Sequence, residues 1–214
     1  MSHVTGETRL AAQTIVAAAR GLLSDGTAPI LIALDGASGT GKSVLADLVA
    51  EVLGATIVPS DDFFAADIAH AEWESRGPAE RAADAIDWRR LRRDALEPLR
   101  AGKPAAWHAF DFEAGIRPDG TYAMRTDFER RDPAQVIVLE GAYSTRPELA
   151  DLIDLSVLVD APVSVRDARL ARREDASFLN AWHARWDAAE AYYFTYVRPP
   201  SCFDLVVSTA APGR

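Results

Sequence analysis

The sequence predicts one α/β domain, a three-layer sandwich on a five-stranded parallel sheet with a small helical lid. Two observations predict it. Short apolar runs alternate with amphipathic stretches along all 214 residues. The runs are almost free of polar interruptions, as strands covered on both faces are. Strands separated by helical crossovers pair in parallel through right-handed connections. Ligands of such a sheet bind beyond the carboxyl ends of its strands. The length of 214 residues suits a single domain over 1–214 or one domain with a small lid.

Each element has its own reason. Residues 8–24 read as an amphipathic helix, with Leu10, Ile15, Leu22 and Leu23 among alanines. Residues 30–35 (Ile-Leu-Ile-Ala-Leu-Asp) form a buried strand and lead into a glycine-rich turn. Residues 42–53 form a helix with Val44, Leu45, Leu48 and Val49 on one face, stopped at Gly54. Residues 55–60 give a second strand, and 61–87 carry no clear period. Residues 88–97 read as a helix that Pro98 ends or kinks. Residues 135–140 and 155–160 are buried strands, 163–175 and 179–195 are helices, and 203–208 is the fifth strand. Pro162 suits a first helical turn. The strands end near Gly36, Asp61, Glu140 and Asp160.

Composition narrows the function. Apolar residues make up 49% of the chain, enough for a sizeable core. No run has transmembrane length, and the first residues lack a secretory pattern, so a soluble, cytoplasmic protein without a membrane partner is expected. The single cysteine, Cys202, permits no internal disulfide, in keeping with a reducing compartment. It reads as an ordinary small residue. A net charge of −9 argues against a nucleic-acid partner, which needs a basic patch. Lysine occurs only at 42 and 103 among 23 basic residues, which makes the placing of Lys42 informative.

Gly36-Ala37-Ser38-Gly39-Thr40-Gly41-Lys42-Ser43 fits the phosphate-binding pattern G-x-x-x-x-G-K-[ST]. Glycines let the backbone curl until its N–H groups face one hollow, and the following helix adds the positive end of its dipole. Lys42 would reach the β- and γ-phosphates, and Ser43 would offer its hydroxyl to Mg²⁺. The loop stands between a buried strand and an amphipathic helix, the context the motif requires. The fold expectation is therefore a P-loop NTPase. The lone asparagine, Asn180, is followed by Ala181, so a guanine-reading N-K-x-D motif is absent. ATP is expected, with GTP open.

From about Ile30 to Val207 the chain resembles the uridine kinase and phosphoribulokinase group of P-loop kinases, with a poorer match over 65–83. Ser60-Asp61-Asp62-Phe63-Phe64 resembles that group's D-x-F-[YH] segment. The resemblance makes Asp61 the base for the acceptor hydroxyl, beside the metal. A carboxylate at the end of a strand near the phosphate loop can take or orient that proton. Asp62 reads as a cap. Glu140-Gly141 resembles the group's E-G, whose glutamate helps hold Mg²⁺, and a lone acidic residue closing an apolar strand suits a hard cation. Arg166, Arg169, Arg172 and Arg173 fall where the group carries lid arginines over the phosphates. Two alignments compete there, one favouring Arg166, Arg169 and Arg173 and the other Arg172 and Arg173. Arg169 and Arg173 are the candidates taken. A solvated face suits at least two of the four, and the resemblance sets the lid at about 166–180. Val197-Arg198-Pro199 and the last strand resemble architectural parts.

Acceptor recognition departs from the group. Uridine kinases carry Y-D-F and then a histidine, and read the pyrimidine with the tyrosine and histidine. Here Phe110 and Gly115 occupy those places. Losing two hydrogen-bonding groups removes much discrimination, which puts uridine and cytidine in doubt. Arg117 matches the group's next arginine, and Asp84 is the candidate for holding acceptor hydroxyls. Asp87 is its alternative, or a cap for the helix at Trp88. His108 reads as structural. The five tryptophans read as core, with some able to line a pocket.

The leading expectation is an ATP- and Mg²⁺-dependent phosphotransferase whose partner is a small molecule with a hydroxyl. That molecule could resemble a nucleoside, a sugar or pantothenate. Two other readings stand beside it. One is a nucleotide-dependent switch, which would need no acceptor base at Asp61. The other is a nucleotide kinase using the arginines at 89, 90, 92 and 93 for an acceptor phosphate. Related kinases often form oligomers, so a homo-oligomer is an open expectation.

Overall fold

Strand β1 (Ile30–Asp35) is buried at all six positions, and its two faces feed two cores. Ile30, Ile32 and Leu34 join one apolar cluster, whereas Leu31 and Ala33 join the other. A strand used on both faces belongs inside a sheet. The computed structural model describes residues 4–24, 26, 29–173 and 176–211, with the side chains of 173, 176–182 and 184 outside that description. It places β1 at the centre of a five-stranded sheet. The order is β2 (Thr56–Pro59), β5 (Val136–Glu140), β1, β6 (Leu155–Asp160), β7 (Leu205–Ser208), every pair parallel. The parallel sandwich expected from the sequence is the observed fold.

Helices α1 (Gly6–Ser24) and α2 (Lys42–Leu53) cover one face. Ile15, Val16, Leu45 and Val49 meet Ile32, Leu34, Val136 and Val138 there. Gly54 ends α2 in the left-handed conformation, its N–H bonded to Ala50 O. The opposite face packs against α3 (His70–Ser75), α4 (Pro78–Asp84), α5 (Trp88–Leu91), α6 (Glu97–Arg100) and α8 (Ala176–Tyr192), through Trp73, Ala82, Leu91, Leu99 and Trp186. Helix α7 (Val163–Arg173) leans over the glycine loop. Among the described residues no helix is long and apolar enough to cross a membrane.

Two local features differ from the sequence expectation. The helix over 88–97 does not stop at Pro98. It passes through a π turn (Arg92–Leu96) and runs on as α6 to Arg100. The wider turn accommodates a residue that has no N–H and whose ring would crowd the preceding turn. Residues 105–131 also hold an unforeseen antiparallel hairpin, β3 (Ala105–Phe110) and β4 (Met124–Arg131), with a register shift between His108 and Phe110. Strand β4 reads Met-Arg-Thr-Asp-Phe-Glu-Arg-Arg and is mostly exposed, so it leaves no apolar run in the sequence.

Candidate active site

Every β strand of the sheet ends at the same edge, and the glycine loop leaves β1 there. Gly36 has φ 153°, and a Cβ on it would lie 2.2 Å from Val159 O of the neighbouring strand, so no larger residue can start the loop. Thr40 ties the curl with its hydroxyl on Ala37 O at 2.9 Å. Lys42 is almost buried. Its ammonium donates to Gly36 O at 2.8 Å and Ala37 O at 3.1 Å, so its charge lies across the hollow that the motif builds for phosphate.

Three side chains that the sequence reading did not single out hold this loop. Asp35 is fully buried and accepts from Gly36 N (2.8 Å), Tyr143 N (2.9 Å), Thr145 N (2.9 Å), Thr145 Oγ1 (2.7 Å) and Tyr193 OH (2.9 Å). Burial and the Asp35 charge push the Tyr193 phenol well up, which keeps it a donor. One carboxylate thus pins the loop, the segment after β5 and the end of α8 together. Glu190, also buried, accepts from Ser38 N (3.1 Å) and Ser38 Oγ (2.6 Å). Thr209, after β7, receives Arg169 Nη1 at 2.9 Å. Asp35 had a sequence signal, a lone acid ending an apolar strand, the same signal that singled out Glu140. Glu190 and Thr209 had none.

The second wall rises from β2 and β5. Ser43 Oγ donates to Glu140 at 3.2 Å, joining the two groups assigned to a cation. Burial, reinforced by the Asp61 charge, pushes the Glu140 carboxyl up to about 7, against the pull of Lys42 and Ser43. A divalent cation would reverse that shift. Gly141 brings Asp61 close. It has φ 140°, and a Cβ there would lie 1.9 Å from Ser60 Oγ and 3.4 Å from Asp61 Oδ1. Asp62 faces away and accepts from Trp107 Nε1 at 2.8 Å. Among the described residues no three His, Cys, Asp or Glu side chains form a metal cage. Ser43, Glu140 and Asp61 still fit Mg²⁺, which takes few protein oxygens and completes its shell with phosphate and water.

Asp61, Glu140, Ser43 and Lys42 open on one cleft of about 720 Å³ together with Gly39, Arg169 and Arg172. Arg169 Nη1 bonds Gly39 O (3.1 Å) and Thr40 O (2.9 Å), and Arg166 Nε bonds Ser38 O (2.8 Å), so both brace the loop from α7. The side chain of Arg173 lies outside the described residues, as do those of the 176–180 part of the expected lid.

The acceptor candidates are scattered. Phe110 is buried in an aromatic cluster, with ring centroids 5.0 Å from Phe64, 4.6 Å from Phe112 and 5.6 Å from Tyr122. Asp84 is exposed and paired with Arg76. Arg117 is exposed in the hairpin loop, its N–H on Thr121 O. Among the described residues no hydrogen bond, ion pair or ring contact joins these three. Asp87 caps α5, accepting from Arg90 N at 3.0 Å. His108 Nδ1 lies 2.9 Å from Arg125 O, within the hairpin.

A glycine loop between buried strand and helix, with its lysine, a serine–glutamate pair and an aspartate on the flanking wall, defines the class of P-loop kinases. Residues 31–200 match the profile of the phosphoribulokinase / uridine kinase family, and the chain belongs to that family. It is a small-molecule kinase. A uridine kinase of Shewanella frigidimarina is 28% identical over 154 residues, 69% of either chain. One from Geobacillus sp. is 25% identical over 177 residues, 81% of this chain and 79% of that one. A structure described as a possible uridine kinase from Bacillus stearothermophilus superposes with TM-score 0.66 at 20% identity, over 94% of this chain and 98% of the other. A structure provisionally described as a fructose transport system kinase from Silicibacter sp. TM1040 gives TM-score 0.61 at 25% identity, over 89% and 97%.

Proposed function

We propose that the protein transfers the γ-phosphoryl group of ATP to a hydroxyl of a small molecule in the cytosol. The observation that carries this is Asp61. Gly141 brings it next to the Ser43–Glu140 pair, on the cleft that Lys42 also lines. The acceptor oxygen attacks the γ-phosphorus, the bond to the β-bridging oxygen breaks, and Asp61 takes the acceptor proton. Lys42 and the loop N–H groups hold the phosphates, with Arg169 and Arg173 assigned to the charge that develops on them. Ser43, Glu140 and Asp61 would hold Mg²⁺, which supplies charge neutralisation across the phosphates.

For the acceptor, a nucleoside, a sugar or a pantothenate-like alcohol remains in play, with Asp84, Phe110 and Arg117 as the residues offered to it. The relatives are uridine kinases, yet Phe110 brings no hydroxyl and Gly115 no imidazole, which speaks against a pyrimidine nucleoside. ADP release from Mg·ATP across a panel of nucleosides, sugars, pantothenate and aminoglycosides tests the proposal, with Lys42→Ala as the blank. A large acceptor-dependent rate supports transfer and names the class. A slow rate indifferent to every acceptor counts against it and favours a nucleotide-dependent switch.

A further inference from the structure

Strand β5 stands between β2 and β1 in the sheet, so the turn after it runs between Asp61, which follows β2, and Asp35, which ends β1. Contacts on both sides hold that turn. Ser60 Oγ donates to Ala142 O at 3.3 Å, and Asp35 accepts from Tyr143 N at 2.9 Å. Tyr143 takes φ 64°, the one non-glycine residue with a positive φ among the described residues. A bulky side chain adopts that conformation only where its surroundings force it, and such strain gathers at functional positions.

The Tyr143 phenol has a second peculiarity. The residue is 5% exposed, yet its hydroxyl has no hydrogen-bond partner among the described residues. Tyr193, packed edge-on at 4.9 Å, sends its own hydroxyl to Asp35. Buried hydroxyls are normally paired, because an unpaired one forfeits its hydration. Burial, with the charges of Glu190, Asp35 and Asp61, pushes the Tyr143 phenol well up, so it stays protonated. A donor thus stands within reach of three carboxylate charges and bonds to none of them.

We infer that the Tyr143 hydroxyl binds a second oxygen of the acceptor, close to the hydroxyl that Asp61 deprotonates. The inference rests on the transfer reading above and narrows it. The acceptor is then a diol or a sugar-like polyol, not a simple alcohol. One of its oxygens attacks phosphorus while the neighbouring oxygen satisfies the phenol. Gly141, just ahead of Tyr143 in the turn, lines the cleft together with Asp61, so the acceptor approaches the phenol from that side.

Tyr143→Phe in the full chain tests this in two ways. Without acceptor, the variant is expected to melt no lower than wild type, because the lost hydroxyl had no partner. A fall of more than about 3 °C reveals a bond within the protein and overturns the inference. The second test supplies Mg·ATP with D-ribose, D-fructose, glycerol, uridine or pantothenate. The KM for whichever of these the wild type phosphorylates is expected to rise at least about tenfold in the variant, while the KM for ATP stays within about twofold. An unchanged acceptor KM overturns the inference, and so does transfer to butan-1-ol as fast as to any of them. If the wild type phosphorylates none, the transfer reading itself fails, a result distinct from an unaltered variant.

Discussion

The glycine-loop end of the cleft and the aromatic cluster around Phe64 and Phe110 were written into the chain in different ways. The phosphate end is mostly backbone. Eight consecutive residues, Gly36 to Ser43, shape it, and their spacing alone announces it. The aromatic cluster is all side chains, drawn from the turn after β2, the short helices, the hairpin and α8. Phe64, Trp73, Phe110 and Trp186 meet there, yet together they span more than a hundred positions of sequence. A backbone-built site tolerates change around it, whereas a side-chain-built site is rewritten by a few substitutions. The glycine loop is therefore read from a contiguous motif, whereas Phe110 and its aromatic neighbours are assembled only by the fold.

Asp35 is the strongest joint of the glycine-loop end. Asp35→Ala leaves Gly36 N, Tyr143 N and Thr145 N without their buried acceptor. A loss of more than about 3 kcal/mol is expected, read by urea denaturation, together with weaker ATP binding. Unchanged stability would mean that the loop holds its shape without Asp35. Next comes Asp61→Asn, expected to keep ATP binding and lower transfer at least about a hundredfold, measured as ADP release with the identified acceptor. Near-normal transfer removes Asp61 from the chemistry.

Gly141→Ala drives a methyl group into Ser60 at a backbone angle that side chains avoid. A cost of about 1–3 kcal/mol is expected, with transfer falling as Asp61 shifts. A melting temperature equal to wild type would show that the β2 end yields freely.

Glu140 offers a pH test. Its folded carboxyl is raised to about 7 from 4.5. The fold therefore binds a proton more readily than the unfolded chain, and metal-free stability falls as pH rises from 4.5 through 7. Glu140→Gln should flatten that slope in thermal melts with chelator present, and an unchanged slope assigns it to another group. The smallest effect belongs to Asp84→Asn. An exposed pair with Arg76 contributes within about 1 kcal/mol, so stability should barely change. A tenfold rise in acceptor KM would instead put Asp84 in the acceptor site.

The buried strands were legible because each is an unbroken apolar run. The loop was legible because its glycines, lysine and serine are contiguous. Asp61 and Glu140 were legible as acids closing strands, the position at which a parallel sheet presents its ligands. The hairpin was not, because β4 is largely exposed and its charged residues carry no apolar alternation. Neither was the partner of Asp84, since an ion pair between surface helices leaves no trace in spacing.

By itself, the sequence determined the parallel sandwich, the phosphate loop and the two acids on its flank, because local periodicity and contiguous motifs are properties of neighbouring residues. Tertiary structure alone decided that Asp35 and Glu190 brace the loop, that Thr209 closes one side, and that Val4, Thr5 and Thr8 line the cleft. Those contacts join positions up to 204 residues apart. Hydrogen bonds over such distances depend on where the packed core sets each element down, which no local pattern records.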